Sequence, residues 1–146
     1  MTTLAVDTPR VYQLGDIEEY PVIASDIIYE GAAVGENASG YSRPLSAGDV
    51  FQGFALEQVD NASGSAGDKR VKVRTRGRVQ LSISGIAITA NDRPAVYAVD
   101  DNTFTLSASA SATGTHSLIG YVSRWVSTGV AVLEFDAALV RAALQA

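Results

Sequence analysis

The chain has 146 residues and a formal net charge of −5 at pH 7, and 47% of its residues are hydrophobic. A chain of this length forms one domain with a real core, and its negative charge argues against nucleic acid as a partner. It contains no cysteine, which excludes disulfides, thiolate metal sites and thiol nucleophiles. No apolar stretch approaches the roughly 20 residues that span a bilayer, so we expect no membrane partner, and residues 1–11 lack the pattern of a secretory signal.

The first 20 residues show no sustained hydrophobic period, and we interpret them as an N-terminal arm that precedes a β domain of residues 21–146. Because the arm cannot build a core by itself, its apolar groups need a partner to be buried. The predicted partner contacts are three apolar and three acidic side chains: Val11, Tyr12, Leu14, Asp16, Glu18 and Glu19. A frayed terminus that contacts nothing is the alternative.

Short apolar runs separated by turn residues continue as far as residue 59. The runs are 22–24, 27–29, 31–34, 41–45 and 50–59. Glycine and aspartate favour tight turns between several of them, and the alternation within the last run predicts a strand. Residues 60–68 contain no large apolar side chain and are predicted to form a loop.

The most regular stretch is residues 69–84. Every second residue from Val71 to Ile83 is apolar, threonine or glycine, and the residues between them are polar or cationic. Since side chains alternate between the two faces of a strand, this pattern predicts one long, half-buried strand. Gly77 lies near its centre, where glycine is typical of a bulge or bend. We therefore expect the strand to bend there and serve two sheets, or to leave the body and meet a neighbour.

The polar face of this long strand carries a row of cations, which we name the cation stripe. Its members are Arg70, Lys72, Arg74, Arg76 and Arg78. The strand has no aromatic residue that could stack on bases, which disfavours a nucleic-acid surface. Two interpretations remain. The stripe either contacts an acidic partner surface or a neighbouring subunit, for which arginine is well suited, or it is a solvated face opposite the chain's own carboxylates.

Two hairpins and a helix are predicted in the C-terminal part. The segments are a strand at 86–89, a hairpin of 94–99 and 104–107, a loop at 107–115, a second hairpin of 118–126 and 130–135, and a helix at 137–144. Turn residues close both hairpins. Asp136 is a suitable N-cap for the helix.

Eight to ten short strands with closely spaced turns predict an all-β fold. We expect a small barrel or sandwich of antiparallel strands with an extended N-terminal arm and a short C-terminal helix. A faint repeat links the two halves, since each has an Ala-Val strand, a strand with an aromatic residue and a Gly-aromatic-small strand. The copies are 33–34, 41–45 and 53–55, and 95–96, 104–106 and 120–122. Two such units facing each other would form a pseudo-symmetric barrel.

Three stretches in and around this repeat match short strand patterns of a known protein family. They are Ser-Ala-Gly-Asp-Val-Phe-Gln-Gly-Phe-Ala at 46–55, Asn-Asp-Arg-Pro-Ala-Val-Tyr at 91–97 and Leu-Ile-Gly-Tyr-Val at 118–122. Through them, residues 20–135 resemble the small head-decoration, or capsid cement, proteins of tailed bacteriophages. Where that family often has Gly-Asp before the Val-Tyr strand, this chain has Asn91-Asp92 followed by Pro94. The long basic strand and the arm are additions to the family pattern.

This resemblance implies a homotrimeric structural protein that binds the outer surface of an expanded capsid and stabilises it against the pressure of packaged DNA. Its partners are then the major capsid protein and further copies of itself. Its location is the virion surface, after synthesis in the host cytoplasm. The mean hydropathy of +0.11, which is high for a short chain, also favours a subunit that buries surface against others.

The remaining chemical groups favour binding over catalysis. The single histidine, His116, lies in a Ser/Thr/Gly loop where we expect it to be exposed, and no second histidine or cysteine could complete a transition-metal site. Neighbouring acids such as Asp100 and Asp101 could hold a hard cation, but adjacent carboxylates at a turn are more often solvated. We therefore expect no enzyme activity, no cofactor and no metal.

Two other classes of protein remain open. One is a trimeric tail-fibre or receptor-binding module that takes carbohydrate, with Tyr41, Tyr97 and Trp125 as candidate contacts. Surface aromatics next to acids would support that class. The other is a homomeric structural protein of bacterial origin, which gene neighbourhood would separate from a capsid protein.

Overall fold

The structure, a computed structural model, describes residues 5–7, 9–10, 15–111 and 114–145, with side chains up to residue 143. The strands are β1 (Ile17–Pro21), β2 (Asp26–Ile28), β3 (Ala33–Glu36), β4 (Ser42–Pro44), β5 (Val50–Ala55), β6 (Val59–Asn61), β7 (Arg70–Arg74), β8 (Arg76–Ser82), β9 (Ala95–Ala98), β10 (Phe104–Thr105), β11 (Ser109–Ala110), β12 (Gly114–Thr115), β13 (Ser117–Ser127) and β14 (Val130–Asp136). A 3₁₀-helix spans Ile88–Asp92, and α1 spans Ala137–Gln145. The predicted all-β class with a short C-terminal helix is confirmed.

Two five-stranded antiparallel sheets form the body. The first sheet has the order β1-β7-β5-β3-β4, and the second has the order β10-β9-β13-β14-β8. Two small two-stranded sheets, β2/β6 and β11/β12, accompany them. Since buried residues of both large sheets form one common core cluster, the body is a sandwich and not a closed barrel.

The main core lies between the two large sheets. Its centre is a group of phenylalanines with edge-to-face rings, in which the centroid of Phe54 lies 5.5 Å from that of Phe51 and 4.9 Å from that of Phe135. This is the arrangement that aromatic quadrupoles favour. Val140 of α1 belongs to the same cluster, so the helix contributes to this core.

A smaller core lies on the other face of the first sheet. Val34, Ala55 and Val73 of that sheet pack there against Ile28 of β2 and Val59 of β6. The first sheet is therefore apolar on both faces. This explains why its sequence alternates less clearly than that of a strand with one solvated face.

The predicted long strand is present as β7 and β8, which are separated at Thr75. Because β7 belongs to the first sheet and β8 to the second, the prediction that this stretch serves two sheets is confirmed. Val73 is buried in the smaller core, whereas Val79 packs on the main core. One alternating pattern thus supplies two different cores. Gly77, with φ of 145°, lies two residues after the break.

The sequence repeat corresponds to a repeated pairing plan. In the first sheet β3 lies between β4 and β5, and in the second β9 lies between β10 and β13. The opposed residues are Ala33–Phe54 and Val34–Gly53 in the first sheet, and Ala95–Tyr121 and Val96–Gly120 in the second. Both glycines allow a close approach of the next strand. A Cβ on Gly53 would lie 2.1 Å from the carbonyl oxygen of Arg74, and a Cβ on Gly120 would lie 2.2 Å from that of Glu134.

The two repeated units stack front to back, so the expectation that they face each other symmetrically is wrong. Phe54 points into the main core, whereas its counterpart Tyr121 is 39% exposed on the outer side of the second sheet. Val34 points into the smaller core, whereas its counterpart Val96 points into the main core. Equivalent faces therefore point the same way, and the layers follow in the order β2/β6, first sheet, second sheet.

Local predictions have mixed outcomes in the second half. Residues 86–89 do not form the predicted strand, because the backbone closes a turn there: the Ala90 N–H donates to the Ala87 carbonyl at 2.8 Å, and Ile88 is 62% exposed. Both predicted hairpins are confirmed as β9/β10 and β13/β14. The predicted N-cap is also confirmed, since Asp136 Oδ1 accepts the N–H groups of Ala138 at 3.0 Å and Leu139 at 3.3 Å.

Candidate functional site

The predicted arm reaches into the first sheet. Its last residues belong to β1, which pairs antiparallel with β7 at the sheet edge, so the boundary predicted after residue 20 falls inside a strand. The apolar contacts predicted for the arm, Val11, Tyr12 and Leu14, lie outside the described residues.

The three predicted acidic contacts lie at the start of this edge strand. Glu18 is opposite Val73 and Glu19 is opposite Lys72 in the β1/β7 ladder. Asp16 precedes the strand, and its carbonyl accepts the Thr75 N–H at 2.9 Å. The backbone at these three acids is therefore held by the domain itself.

The side chains of the cation stripe are all exposed. The sheet register places a carboxylate opposite three of them, in the pairs Lys72–Glu19, Arg76–Asp136 and Arg78–Glu134. Among the described residues only Arg78 closes such a pair as a salt bridge, with Nε 3.0 Å from Glu134 Oε1. Arg70 and Arg74 lie opposite Pro21 and Ile17. The chain's own carboxylates thus account for part of the stripe, and a partner contact remains a prediction.

The outer side of the second sheet, which we name the open face, has no counterpart to the β2/β6 sheet among the described residues. Three rows of side chains cross it. They are Ala95–Tyr121–Glu134–Arg78, then Arg124–Val132–Gln80, and Arg76–Asp136 nearest to α1. The open face therefore combines apolar and aromatic groups with exposed arginines and half-buried acids.

A groove of about 710 Å³ lies between the open face and α1. Two residues without side chains, Gly77 and Gly120, line it beside the apolar groups of Leu118 and Phe135. On the helix side, Leu139 also lines the groove and is 67% exposed. Because apolar lining is typical of a surface that buries a partner's side chain, this groove is the candidate binding site.

A hydrogen-bonded row holds one wall of the groove in place. The Tyr121 hydroxyl donates to Glu134 Oε2, and Arg78 Nε donates to Glu134 Oε1. The hydrogen bond from Tyr121, and next the one from Arg78, lowers the pKa of the Glu134 carboxyl below its usual range. The same hydrogen bond to Glu134 raises the pKa of the Tyr121 hydroxyl. Arg93 Cζ lies 5.4 Å from the Tyr121 ring centroid, within cation–π distance.

Three residues of this groove, Tyr121, Glu134 and Leu139, are not among the site residues predicted from the sequence. The one signal that could have found Tyr121 is the repeat itself, because the Gly-aromatic pair occurs twice. Of the predicted carbohydrate contacts, Trp125 packs partly buried against the main core, and Tyr41 and Tyr97 are half-buried.

The expectation of an exposed His116 is wrong. Its side chain is buried at 6% exposure, with Nδ1 2.8 Å from the Ser107 carbonyl oxygen, so the ring holds the start of the β11/β12 hairpin. In the part of the chain that the structure describes, no group of three or more His, Cys, Asp or Glu side chains could hold a metal ion. No helix in these same residues combines the length and apolar character that a membrane crossing requires.

Comparison of the chain with models of known protein families and with curated proteins gives no match. The candidate site is therefore defined by its own contacts, which are an apolar groove, a pre-ordered Tyr–Glu–Arg row and an uncovered sheet face.

Proposed function

We propose that this protein is a capsid decoration protein that binds the outer surface of an expanded phage capsid as a homotrimer and stabilises the shell, with the major capsid protein as its partner. The observation that carries the proposal is the uncovered outer side of the two-sheet body. The stretches that resemble the decoration family contribute β5, β9 and β13, which lie inside the two sheets. A stable β body with a partly apolar outer face suits a protein whose task is to adhere.

The chemistry of the groove supports adhesion over catalysis. A general base needs a pKa near the working pH. Glu134 has a lowered pKa, and both of its oxygens accept hydrogen bonds, from Tyr121 and Arg78. This carboxylate is therefore a poor proton acceptor and a good fixed element of a binding surface.

The arm supplies a second contact in this proposal. Val11, Tyr12 and Leu14 would each contribute about 1.5–3 kcal/mol at best when buried on the capsid. Ordering the segment costs roughly 1–2 kcal/mol per residue and offsets much of that gain. One arm then binds weakly, whereas three arms on one trimer bind tightly, because the second and third attach at high effective concentration.

The test compares the full chain with a variant that lacks residues 1–14, which keeps β1 in its sheet. We expect both to melt at nearly the same temperature and both to have a mass near three times 15.3 kDa by light scattering. The full chain should co-sediment with expanded shells of the phage whose genes flank its own, and the truncated chain should bind them far more weakly.

Different failures have different meanings in this experiment. Equal decoration by both proteins would remove the arm from the interface and leave the body as the contact. A full chain that binds no expanded shell and stays monomeric over a wide concentration range would overturn the proposed function.

A carbohydrate-binding module of a tail fibre is the second candidate. It is favoured by one observation, the exposed Tyr121 ring beside the Glu134 carboxylate in the groove. An aromatic face with an adjacent acid is a typical sugar contact. Titration with a glycan panel separates the candidates, because saturable binding that Tyr121→Ala abolishes would favour this class over capsid cement.

A further inference from the structure

The two large sheets end in four edge strands, and three of these edges are short or interrupted. β4 has three residues, includes Pro44 and is bridged by Val22. β10 has two residues and is bridged by Ser84. β1 has five residues and ends at Pro21. Short length, proline and local cover are common ways in which proteins keep a sheet edge from pairing with another chain.

β8 is the exception among these four edges. It is the longest, with seven residues, and it has neither a proline nor a register shift in its ladder with β14. Among the described residues no strand pairs with its other side. Its inward-facing side chains Val79 and Leu81 pack on the main core and remain only half-buried. A strand added beside β8 would remove more of this apolar surface from water.

The backbone bonds at the two ends of β8 identify the groups that point to its free side. The Ala137 N–H donates to the Thr75 carbonyl at 2.8 Å before β8, and the Ile83 N–H donates to the Gly129 carbonyl at 2.9 Å after it. Because alternate residues of an antiparallel ladder bond to the same neighbour, the odd-numbered residues of β8 bond to β14. The even-numbered residues point their N–H and C=O groups away from β14. They are Arg76, Arg78, Gln80 and Ser82, and no backbone group of the described residues bonds to them.

The chain provides an example of a strand that covers such an edge. β7 is the first half of the same alternating stretch, and β1 pairs with its edge as an antiparallel strand of sequence Ile-Glu-Glu-Tyr-Pro. In that ladder Glu19 lies opposite Lys72, and Tyr20 lies opposite Val71 and packs on the smaller core. An acid thus stands opposite a cation, and an apolar ring stands opposite a core residue.

We propose that the free edge of β8 accepts an extended segment of the capsid protein as an added strand, with acidic side chains opposite Arg76 and Arg78 and apolar side chains opposite Val79 and Leu81. The inference rests on the proposed function and assigns a surface and a partner chemistry to it. In strand addition the backbone hydrogen bonds supply affinity and the alternate side chains supply specificity. Since opposite charges across a strand pair stabilise it and like charges destabilise it, this edge should reject a basic segment.

Hydrogen–deuterium exchange of the full chain, free and bound to expanded shells, tests the proposal at single residues. In the free chain the amides of Val79 and Leu81 should exchange slowly, because they bond to β14, and those of Arg78 and Gln80 should exchange fast. Shell binding should slow the even-numbered amides by at least about tenfold and leave the odd-numbered ones nearly unchanged. Fast exchange at Arg78 and Gln80 in the shell-bound chain would overturn the proposal while the proposed function stands.

A pair of variants at one position tests the backbone contact. Gln80→Pro removes an N–H group from the free edge and keeps the ladder with β14, since proline is tolerated on an edge strand when its nitrogen faces outward. Gln80→Ala is the matched control, because it keeps the N–H group. We expect Gln80→Pro to lose at least about tenfold in shell affinity and Gln80→Ala to bind like the unchanged chain. Equal binding by the two variants would overturn the proposal.

Melting curves establish that both variants are folded. Arg76→Glu leaves the backbone donors in place and provides a second variant, which should also bind shells more weakly. Unchanged shell binding by Arg76→Glu would remove the acidic chemistry that the proposal assigns to the partner strand.

A peptide titration tests the edge without any shell. Two capped peptides of the length of β8, one alternating Glu and Val and the other alternating Lys and Val, are titrated into the isotope-labelled full chain and followed by NMR. The Glu peptide should shift the even-numbered β8 amides and bind at least about fivefold more tightly than the Lys peptide. Absence of these shifts, or equal binding of the two peptides, would overturn the proposal.

The remaining outcomes separate this proposal from the proposed function. A chain that binds the Glu peptide at β8 but no shell would support the edge and contradict the capsid as its partner. Even-numbered amides that are already protected in the free chain, or a self-associated species that Gln80→Pro dissociates, would mean that the protein covers this edge itself. Either result would overturn the assignment of the edge to a capsid segment.

Discussion

The two large sheets share a pairing plan but differ in what covers them. In both, a valine lies opposite a glycine and an alanine lies opposite an aromatic residue. The first sheet has apolar cores on both faces, whereas the second has a core on one face and the open face on the other. The equivalent residues Phe54 and Tyr121 differ by one oxygen atom. The Phe54 ring is buried in the main core, whereas the hydroxyl of Tyr121 donates a hydrogen bond to Glu134 outside the core. The residues that set the strand pairing are thus different from those that decide whether a face is buried or exposed.

Substitution of the two sheet glycines should disrupt the shared strand pairing. We expect these substitutions to cause the largest loss of unfolding free energy. Gly53→Ala and Gly120→Ala each place a Cβ within 2.2 Å of a backbone carbonyl oxygen of the neighbouring strand. Neither carbonyl can move without opening its sheet, so each variant should lose roughly 4 kcal/mol or more of unfolding free energy. Gly53→Ala should be the worse of the two, because φ of 130° adds backbone strain. Urea denaturation measures both.

A third glycine provides the control for this prediction. Gly129 has φ of 80°, and a Cβ there meets no atom within 4 Å. Gly129→Ala should therefore cost only the backbone term of about 1–2 kcal/mol. If the sheet glycines cost no more than this turn glycine, the close strand approach is not what requires them.

Substitutions at Phe54 and Tyr121, the equivalent aromatic residues of the two sheets, test whether the two faces differ in burial. Phe54→Ala removes a ring that packs edge-to-face against Phe51, Phe104 and Phe135, and it should cost about 3–5 kcal/mol. Tyr121→Ala removes the counterpart ring from an exposed position and should leave the melting temperature of the monomeric body nearly unchanged. Thermal melts of the two variants, at concentrations below trimer formation, make the comparison. Equal losses would mean that the open face is covered within the monomer.

The smallest effect we expect is a pH response at Glu134 in the second sheet. The pKa of Glu134 is lowered in the folded protein, first by the Tyr121 hydrogen bond. A lowered acid pKa gives stability that is present above the unfolded-state pKa and is lost as pH falls through the folded-state pKa. Carboxyl NMR titration should therefore show Glu134 titrating below its ordinary range. Tyr121→Phe should raise its pKa more than Arg78→Gln does, and the reverse order would identify the salt bridge as the main cause.

The sequence predicted those features that depend on neighbouring residues. The alternation of residues 69–84 predicted which side chains are buried, since strand side chains alternate whatever core they meet. Asp136 predicted the start of α1 for the same local reason. The strand predicted at 86–89 is absent because strand formation also requires a neighbouring strand to pair with. A run of four residues gives no information about such a neighbour.

The candidate site depends on residues that the sequence keeps far apart. Gly77, Gly120 and Leu139 meet only because β8 and β13 flank β14 and α1 folds back beside them. No period or motif connects these positions. The front-to-back stacking of the two sheets could not be predicted from the sequence either. The repeat indicates the order of strands within each sheet, but not the direction in which each face of the sheet points.

The break at Thr75 has a mechanical consequence. Its hydroxyl donates to the Gly15 carbonyl at 2.8 Å, its N–H donates to Asp16, and its carbonyl accepts the Ala137 N–H at 2.8 Å. One residue therefore ties the chain before β1, the start of α1 and the strands of both large sheets. Tension applied through the residues before Gly15 would reach both sheets at this junction instead of peeling one edge strand. Such a junction lets the sandwich carry a load as a single body.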